Sequence, residues 1–206
     1  TFNSVIASAD AINYYSWTSS NGFSGSGNSL TLTFNTPGNY TIQLITRTVN
    51  GCADTALHQI NIKPTPNIAQ PPGQILCNGD FTLPINFTGS VSGTIYNWTN
   101  TAPIIGLAAS GTGNIASFTA VNNGTVPDTA TIIVTPTITN LGLSCEGIKD
   151  TFLIVVNPSA VVNAVSNQVV CADATNSAVN FSSPVAGTTY SWTNSNLSIG
   201  LAASGS

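Results

Sequence analysis

The chain has 206 residues with a formal net charge of −4, and 5% of them are charged while 42% are hydrophobic. Its basic residues are Arg47, Lys63 and Lys149. Three cations cannot form a phosphate-binding surface, so we exclude nucleic acid as a partner. No run of eighteen apolar residues is present, and we therefore predict no membrane insertion.

Segments with alternating apolar and polar residues follow one another along the chain and are separated by turn residues. None has the 3.6-residue period of an amphipathic helix. Short β-rich segments with frequent turn chemistry predict an all-β fold of sandwich or barrel type. The four clearest segments are Ser29–Phe34 (SLTLTF), Tyr40–Val49 (YTIQLITRTV), Thr129–Pro136 (TATIIVTP) and Thr151–Val156 (TFLIVV).

An internal repeat determines the predicted domain organisation. The segment Gly93–Gly111 (GTIYNWTNTAPIIGLAASG) recurs at Gly187–Gly205 (GTTYSWTNSNLSIGLAASG), 94 residues later, and Cys77 and Cys171 have the same spacing. A shorter copy surrounds Trp17 in the segment YYSWTSS.

Pro64 and Pro158 each follow an apolar strand, and we place the domain joints there, since proline ends a strand and stiffens a linker. The predicted domains are 1–63, 64–157 and 158–206. We expect the first to lack its opening strand and the third to stop before the strand that Asn114–Ala120 supplies in the second. Such a chain would be a fragment of a longer array.

Residues of the first domain resemble the PKD family of β-sandwich domains. The resemblance lies in Tyr15-x-Trp17, Pro37-Gly38-x-Tyr40 and Asn50-Gly51-Cys52, although Thr18-Ser19-Ser20 replaces the usual Gly-Asp-Gly. The second and third domains resemble PKD-like repeats of giant surface proteins from Bacteroidota, through the pattern YxWTN followed by IGLAASG. The resemblance implies tandem immunoglobulin-like sandwiches in an extended array.

The same resemblance implies a location and a function. It implies type IX secretion to the extracellular cell surface and a role in adhesion, gliding or a surface fibre. The expected partners are other repeats of the same chain, with surface glycans or neighbouring fibre chains. It also implies O-glycosylation of the threonine in Asp-Thr-Ala, which occurs at Thr55 and Thr129; alternatively, Asp and Thr only begin a strand there.

One tryptophan recurs in each predicted domain: Trp17, Trp98 and Trp192. An exposed tryptophan can stack on a sugar, whereas the tryptophan of an immunoglobulin-like sandwich packs in its core. Its repeated position in one strand pattern favours the core interpretation.

The four cysteines, Cys52, Cys77, Cys145 and Cys171, are widely spaced and contain no CxxC pair. This favours disulfides in an oxidising compartment over a zinc site. We predict a Cys77–Cys145 bridge within the second domain, because its first and last strands can lie close at one end. The alternative is a Cys52–Cys77 bridge across the joint.

We predict no enzymatic activity. The seven acidic residues form no paired acid and base, no GxSxG motif is present, and His58 is the single histidine. No cofactor is expected; calcium is the one metal considered, with Asp80 or Asp173 as a ligand near a joint, although calcium needs six to eight oxygens.

Two functions from different classes fit these observations. The first is a structural and adhesive repeat segment of a long surface stalk or filament that projects a distal binding region. The alternative is a carbohydrate-binding accessory module of a secreted hydrolase. Burial of Trp98 would favour the stalk, and its exposure would favour sugar binding.

Overall fold

In the computed structural model, which describes residues 1–3, 10–140 and 142–206, the chain forms two compact units, Thr1–Thr65 and Pro66–Ser206. We call them the N-terminal and C-terminal units. The secondary structure described is β-strand with two short 3₁₀ turns, which confirms the predicted all-β fold. In the described part of the chain, no helix is long and apolar enough to cross a membrane.

The N-terminal unit contains one four-stranded antiparallel sheet in the order β3-β2-β5-β6 and a two-stranded pair β1-β4. Alternation along β5 places Ile42 and Leu44 on the inner face, where they pack with Trp17 and Leu30. Its strands are β1 (Phe2–Asn3), β2 (Ile12–Ser19), β3 (Ser24–Ser26), β4 (Ser29–Leu30), β5 (Gly38–Thr48) and β6 (Ala53–Ile62).

The C-terminal unit contains a six-stranded sheet in the order β7-β12-β10-β8-β9, with β11 also paired to β10. Its strands are β7 (Gln74–Cys77), β8 (Ile95–Asn100), β9 (Ser110–Thr112), β10 (Asp128–Asn140), β11 (Leu143–Glu146), β12 (Asp150–Asn157), β13 (Trp192–Thr193) and β14 (Ser204–Gly205).

A second layer covers the inner face of this sheet between residues 66 and 157, which we call the complete sandwich. This layer is held by isolated bridges between Phe81 and Thr119 and between Ile85 and Ile115. Alternation in TATIIV and TFLIVV buries every second side chain of β10 and β12 against it. The buried core includes Ile85, Phe87, Tyr96, Trp98, Ile105, Ile115, Ile132, Val134, Phe152, Ile154 and Val156.

The first and last strands of the complete sandwich run parallel to each other. Ile154 lies opposite Gln74, and Asn157 lies opposite Cys77. The chain enters at the other end of the sheet, where Pro66 lies against Gly147 and the Tyr96 hydroxyl points to the Asn67 carbonyl. It therefore enters the sandwich at one end and leaves it at the opposite end.

Residues 158–206, which we call the C-terminal segment, repeat local contacts of the complete sandwich 94 positions later. The Asn100 amide donates to the Leu107 carbonyl, and the Asn194 amide donates to the Leu201 carbonyl, each at 3.0 Å. The two 3₁₀ turns, Pro103–Ile105 and Leu197–Ile199, both end at a glycine with positive φ, a conformation that glycine adopts without strain. The repeated sequence thus forms the same local structure twice.

Predicted strands β5, β10 and β12 are close to their predicted bounds, but two other predictions need correction. The segment Ser29–Phe34 forms only the two-residue strand β4, and Asn114–Ala120 contributes two isolated bridges rather than a strand. The compact N-terminal unit ends at Thr65. The division into 1–63, 64–157 and 158–206 stays a prediction.

Candidate functional site

Each of the three tryptophans lies opposite a glycine of the neighbouring strand. Trp17 pairs with Gly25, Trp98 with Gly111, and Trp192 with Gly205. Trp17 and Trp98 are 4% and 7% exposed, whereas Trp192 is half-buried. The same hairpin therefore occurs three times along the chain, and we call it the tryptophan hairpin.

Glycine is required in this hairpin because the indole ring lies directly on its backbone. A Cβ atom on Gly111 would overlap the ring of Trp98, and one on Gly205 would overlap the ring of Trp192. The indole Nε1 of Trp98 donates to the Gly113 carbonyl at 3.1 Å, and that of Trp17 donates to the Gly27 carbonyl at 2.8 Å. A ring held by its polar edge beneath a strand does not present a face to a sugar.

Two aromatic rings extend the core from the tryptophan hairpin of the complete sandwich to β12. The Phe87 ring lies 5.6 Å from that of Tyr96 and 6.4 Å from that of Phe152, measured between centroids. Burial raises the pKa of Tyr96 above its ordinary value of 10.0, because desolvation disfavours the phenolate.

This shift predicts a loss of stability at high pH. Above about pH 10 the unfolded chain releases the Tyr96 proton before the folded chain does, so the free energy of unfolding falls as pH rises. Urea unfolding between pH 9 and pH 11 should show a smaller decline for Tyr96→Phe than for the wild type. Equal declines in the two proteins would contradict the assignment.

The predicted Cys77–Cys145 disulfide is wrong. Both residues are free cysteines, as are Cys52 and Cys171. Cys77 lies opposite Asn157, beyond the end of the β10–β12 pairing at Asp128, whereas Cys145 lies opposite Ile138.

These two positions are about ten residues apart along β10, or roughly 30 Å at ~3.3 Å per residue. A disulfide requires Cα atoms within about 7 Å. The error came from treating the turn before β12 as adjacent to the start of the sandwich strand β7, when β11 extends to the opposite end of the sheet.

Thr55 and Thr129 are exposed. Thr129 lies on the outer face of β10 opposite Val155, which pairs on its other side with Ile75. The backbone N–H of Thr55 donates to the Asp54 carboxylate at 2.8 Å, so that aspartate orders the start of β6. Glycosylation of either threonine stays a prediction.

Acidic residues are scattered in both units. Within the described ranges, no group of three His, Cys, Asp or Glu residues could hold a metal ion. The Asp80 carboxylate accepts from the backbone N–H of Cys77 at 2.9 Å and thereby closes the turn after β7. Asp173 adopts a positive φ of 65° in the corresponding part of the C-terminal segment.

Asn122 is a structural residue that the sequence analysis missed. It is buried, and its side-chain amide donates to the carbonyls of Val126 and Val156 at 2.8 and 2.7 Å. Its side-chain oxygen accepts from the backbone N–H of Gly124 at 2.8 Å. The adjacent Asn-Gly pair indicated only a turn.

No family model and no curated protein matches this chain. Among solved structures, it is similar to the three N-terminal domains of the Highly Immunogenic Outer Capsid protein (Hoc) of bacteriophage RB49. The sequence identity is 17% and the TM-score is 0.46. The match covers 73% of this chain and 59% of that chain, so this chain spans less than two thirds of it. The fold described above rests on the strand pairing of this chain itself.

Proposed function

We propose that this chain is a load-bearing repeat segment of a long extracellular stalk or filament built from PKD-like sandwiches. The observation that carries the proposal is the parallel pairing of β7 with β12 in a sandwich that the chain enters and leaves at opposite ends. A sandwich of this kind can be joined in series with others of its type.

Tension along such a chain would load the parallel pair in shear. The start of β7 would be pulled towards the entry end, and the end of β12 towards the exit end. In shear, the hydrogen bonds between Gln74–Cys77 and Ile154–Asn157 bear the force together, whereas peeling would break them one after another. This arrangement suits a protein that transmits force.

The alternative function, carbohydrate binding, has less support. It requires exposed aromatic rings on one face, but Trp17 and Trp98 are buried under their own hairpins. The tryptophan hairpins therefore support the stalk as repeated core elements.

The proposed surface location also fits the composition. With 5% charged residues, the surface relies on hydroxyl and amide groups, whose hydration does not depend on pH or salt. We propose secretion to the cell surface, partners among further repeats of the chain, surface glycans or neighbouring fibre chains, and no bound cofactor.

We propose that Thr55 and Thr129 are O-glycosylated in native material. Both are exposed at strands that begin with aspartate, and a glycan on Thr129 would cover the apolar side chains of Ile75 and Val155. Intact-peptide mass spectrometry should find sugar on both residues and lose each one in Thr55→Val and Thr129→Val. Both threonines bare in native protein would remove this proposal.

Single-molecule pulling tests the load-bearing function. Force applied through residues 1 and 206 should unfold the complete sandwich in one event that releases about 90 residues, or roughly 30 nm at ~3.5 Å per residue. The control attaches one handle at Cys77 and the other at residue 206, with the remaining cysteines changed to serine, so that β12 is peeled from β7.

The terminal geometry should resist a clearly higher force than the Cys77 geometry. Equal low forces in both geometries would contradict the proposed function. Antibody labelling of intact expressing cells tests the location separately, and labelling only after lysis would contradict it.

A further inference from the structure

The N-terminal unit has an open sheet edge at β6. The sheet ends there in the order β3-β2-β5-β6, whereas the corresponding strand of the complete sandwich, β12, is paired on both sides, with β10 and β7. On the inner face of β6, His58 lies opposite Ile42, as Phe152 lies opposite Ile132 on β12. The described part of the chain thus offers β6 no parallel strand.

This open edge leaves apolar inner positions uncovered. His58 is exposed, and Ile60 and Ile62 are half-buried. Their counterparts on β12, which are buried in the core, are Phe152, Ile154 and Val156. The difference shows that the inner face of β6 has room for further packing.

The C-terminal segment carries a strand of the type that pairs with β12. Residues Gln168–Cys171 (QVVC) lie 94 positions after Gln74–Cys77 (QILC). Gln74 exchanges two 2.9 Å hydrogen bonds with the backbone of Leu83, and Gln168 does the same with Ser177. This glutamine contact orders the segment in the way that it orders β7.

Unlike β7, this segment is paired with no strand in the described residues. Val169 is 97% exposed and Val170 is about half exposed. Leu76, the counterpart of Val170, packs against the core of the complete sandwich.

The C-terminal segment also contains an apolar cleft of about 220 Å³ beside a ring pair. The rings of Phe181 and Tyr190 stack there with centroids 5.8 Å apart. Their counterparts, Phe87 and Tyr96, are buried, and Phe87 contacts Phe152 of β12. The cleft therefore occupies the place where the inner face of a β12-type strand packs.

We propose that this chain associates head to tail with a second copy of itself. Gln168–Cys171 of one copy adds as a parallel strand to the open edge of β6 in the other, and the inner face of β6 packs into the Phe181–Tyr190 cleft. The register of β7 on β12 places Ile60 opposite Gln168 and Ile62 opposite Val170. Strand addition of this kind satisfies the backbone groups of both edges.

The two surfaces differ, so the contact leaves one free head and one free tail after every addition. Such heterologous contacts generate rings or open chains rather than closed two-fold dimers. The association therefore goes beyond the load-bearing role of a single chain, since it joins copies end to end.

Sedimentation velocity of the full chain under reducing conditions tests the proposal. The 21.1 kDa monomer should shift to dimers and larger species as concentration rises. Val170→Asp, which places a carboxylate in the joined core, should weaken association at least tenfold. Val169→Asp is the matched control and should associate like the wild type, because the counterpart of Val169, Ile75, faces outward.

A mixing experiment tests the polarity. Ile60→Asp blocks the head and Val170→Asp blocks the tail, so each variant alone should remain monomeric. Their equimolar mixture should form a one-to-one dimer and nothing larger, which also shows that both variants are folded. Monomers at every concentration for the wild type, equal effects of the two valine changes, or an unassociated mixture would overturn the proposal.

Cross-linking tests the register without disturbing the core. The β7–β12 pairing places Lys63 opposite Cys171 of the other copy, so Lys63→Cys should form an intermolecular disulfide when oxidised glutathione accepts the two electrons and two protons from the thiols. The bridge should disappear in Lys63→Cys combined with Cys171→Ser. Absence of a Cys171-dependent bridge would contradict the register.

Discussion

Replacing Trp98 with alanine should lower the free energy of unfolding of the complete sandwich by about 3–5 kcal/mol, the range for removing a large buried aromatic side chain. The ring fills the space between β8 and β9, and its Nε1 donates to the Gly113 carbonyl. Alanine would leave both a cavity and an unpaired carbonyl, and the flat glycine at position 111 cannot fill the space.

Hydrogen exchange measured by mass spectrometry checks this effect within one sandwich. At about 1.4 kcal/mol per tenfold change, amides of β8 and β10 should exchange roughly 100- to 4,000-fold faster in Trp98→Ala. Thr99→Ala, at the exposed neighbouring position, is the control and should change the free energy by less than about 0.5 kcal/mol. Protection that survives in Trp98→Ala would mean that this tryptophan is not a core residue.

Local patterns predicted a large part of this fold. The alternation in Thr129–Pro136 and Thr151–Val156 was sufficient for β10 and β12, because half-buried strands have a period of two residues. The 94-residue repeat was also sufficient to match Trp98 with Trp192, whose pairing to a glycine is the same in the structure. Periodicity and repetition are properties of the local sequence, so they are visible without coordinates.

Long-range placement was not predictable in the same way. Cys77 and Cys145 belong to one sandwich, but their distance depends on which end of β10 each neighbouring strand occupies. Nothing in the sequence near Cys145 indicates that Leu143–Glu146 folds back on β10 as a hairpin far from β7. The strand Ser29–Phe34 was overestimated for a related reason, since its alternation continues after its pairing partner β1 has ended.

Asn122 shows the same limit for a polar residue. Asn122-Asn123-Gly124 is a turn sequence, and turn residues are ordinarily exposed. In the structure, however, Asn122 is buried and joins three parts of the sandwich. Its backbone N–H donates to the Asn78 side chain at 2.9 Å, and its amide reaches Val156 at the end of β12. Only the packing of distant segments distinguishes it from Asn123.

Asn122→Ala should therefore lower the free energy of unfolding of the complete sandwich by roughly 2–4 kcal/mol, since each buried group left without a partner costs about 1–3 kcal/mol. The groups that lose their partner are the carbonyls of Val126 and Val156 and the N–H of Gly124. Asn122→Asp should be at least as harmful, because it replaces the donor with a carboxylate that faces the Val156 carbonyl. Asn123→Ala, at the exposed neighbouring position, is the control and should stay within about 0.5 kcal/mol of the wild type. Urea unfolding followed by circular dichroism measures all three variants, and equal stabilities of Asn122→Ala and Asn123→Ala would show that these hydrogen bonds do not hold the end of the sandwich together.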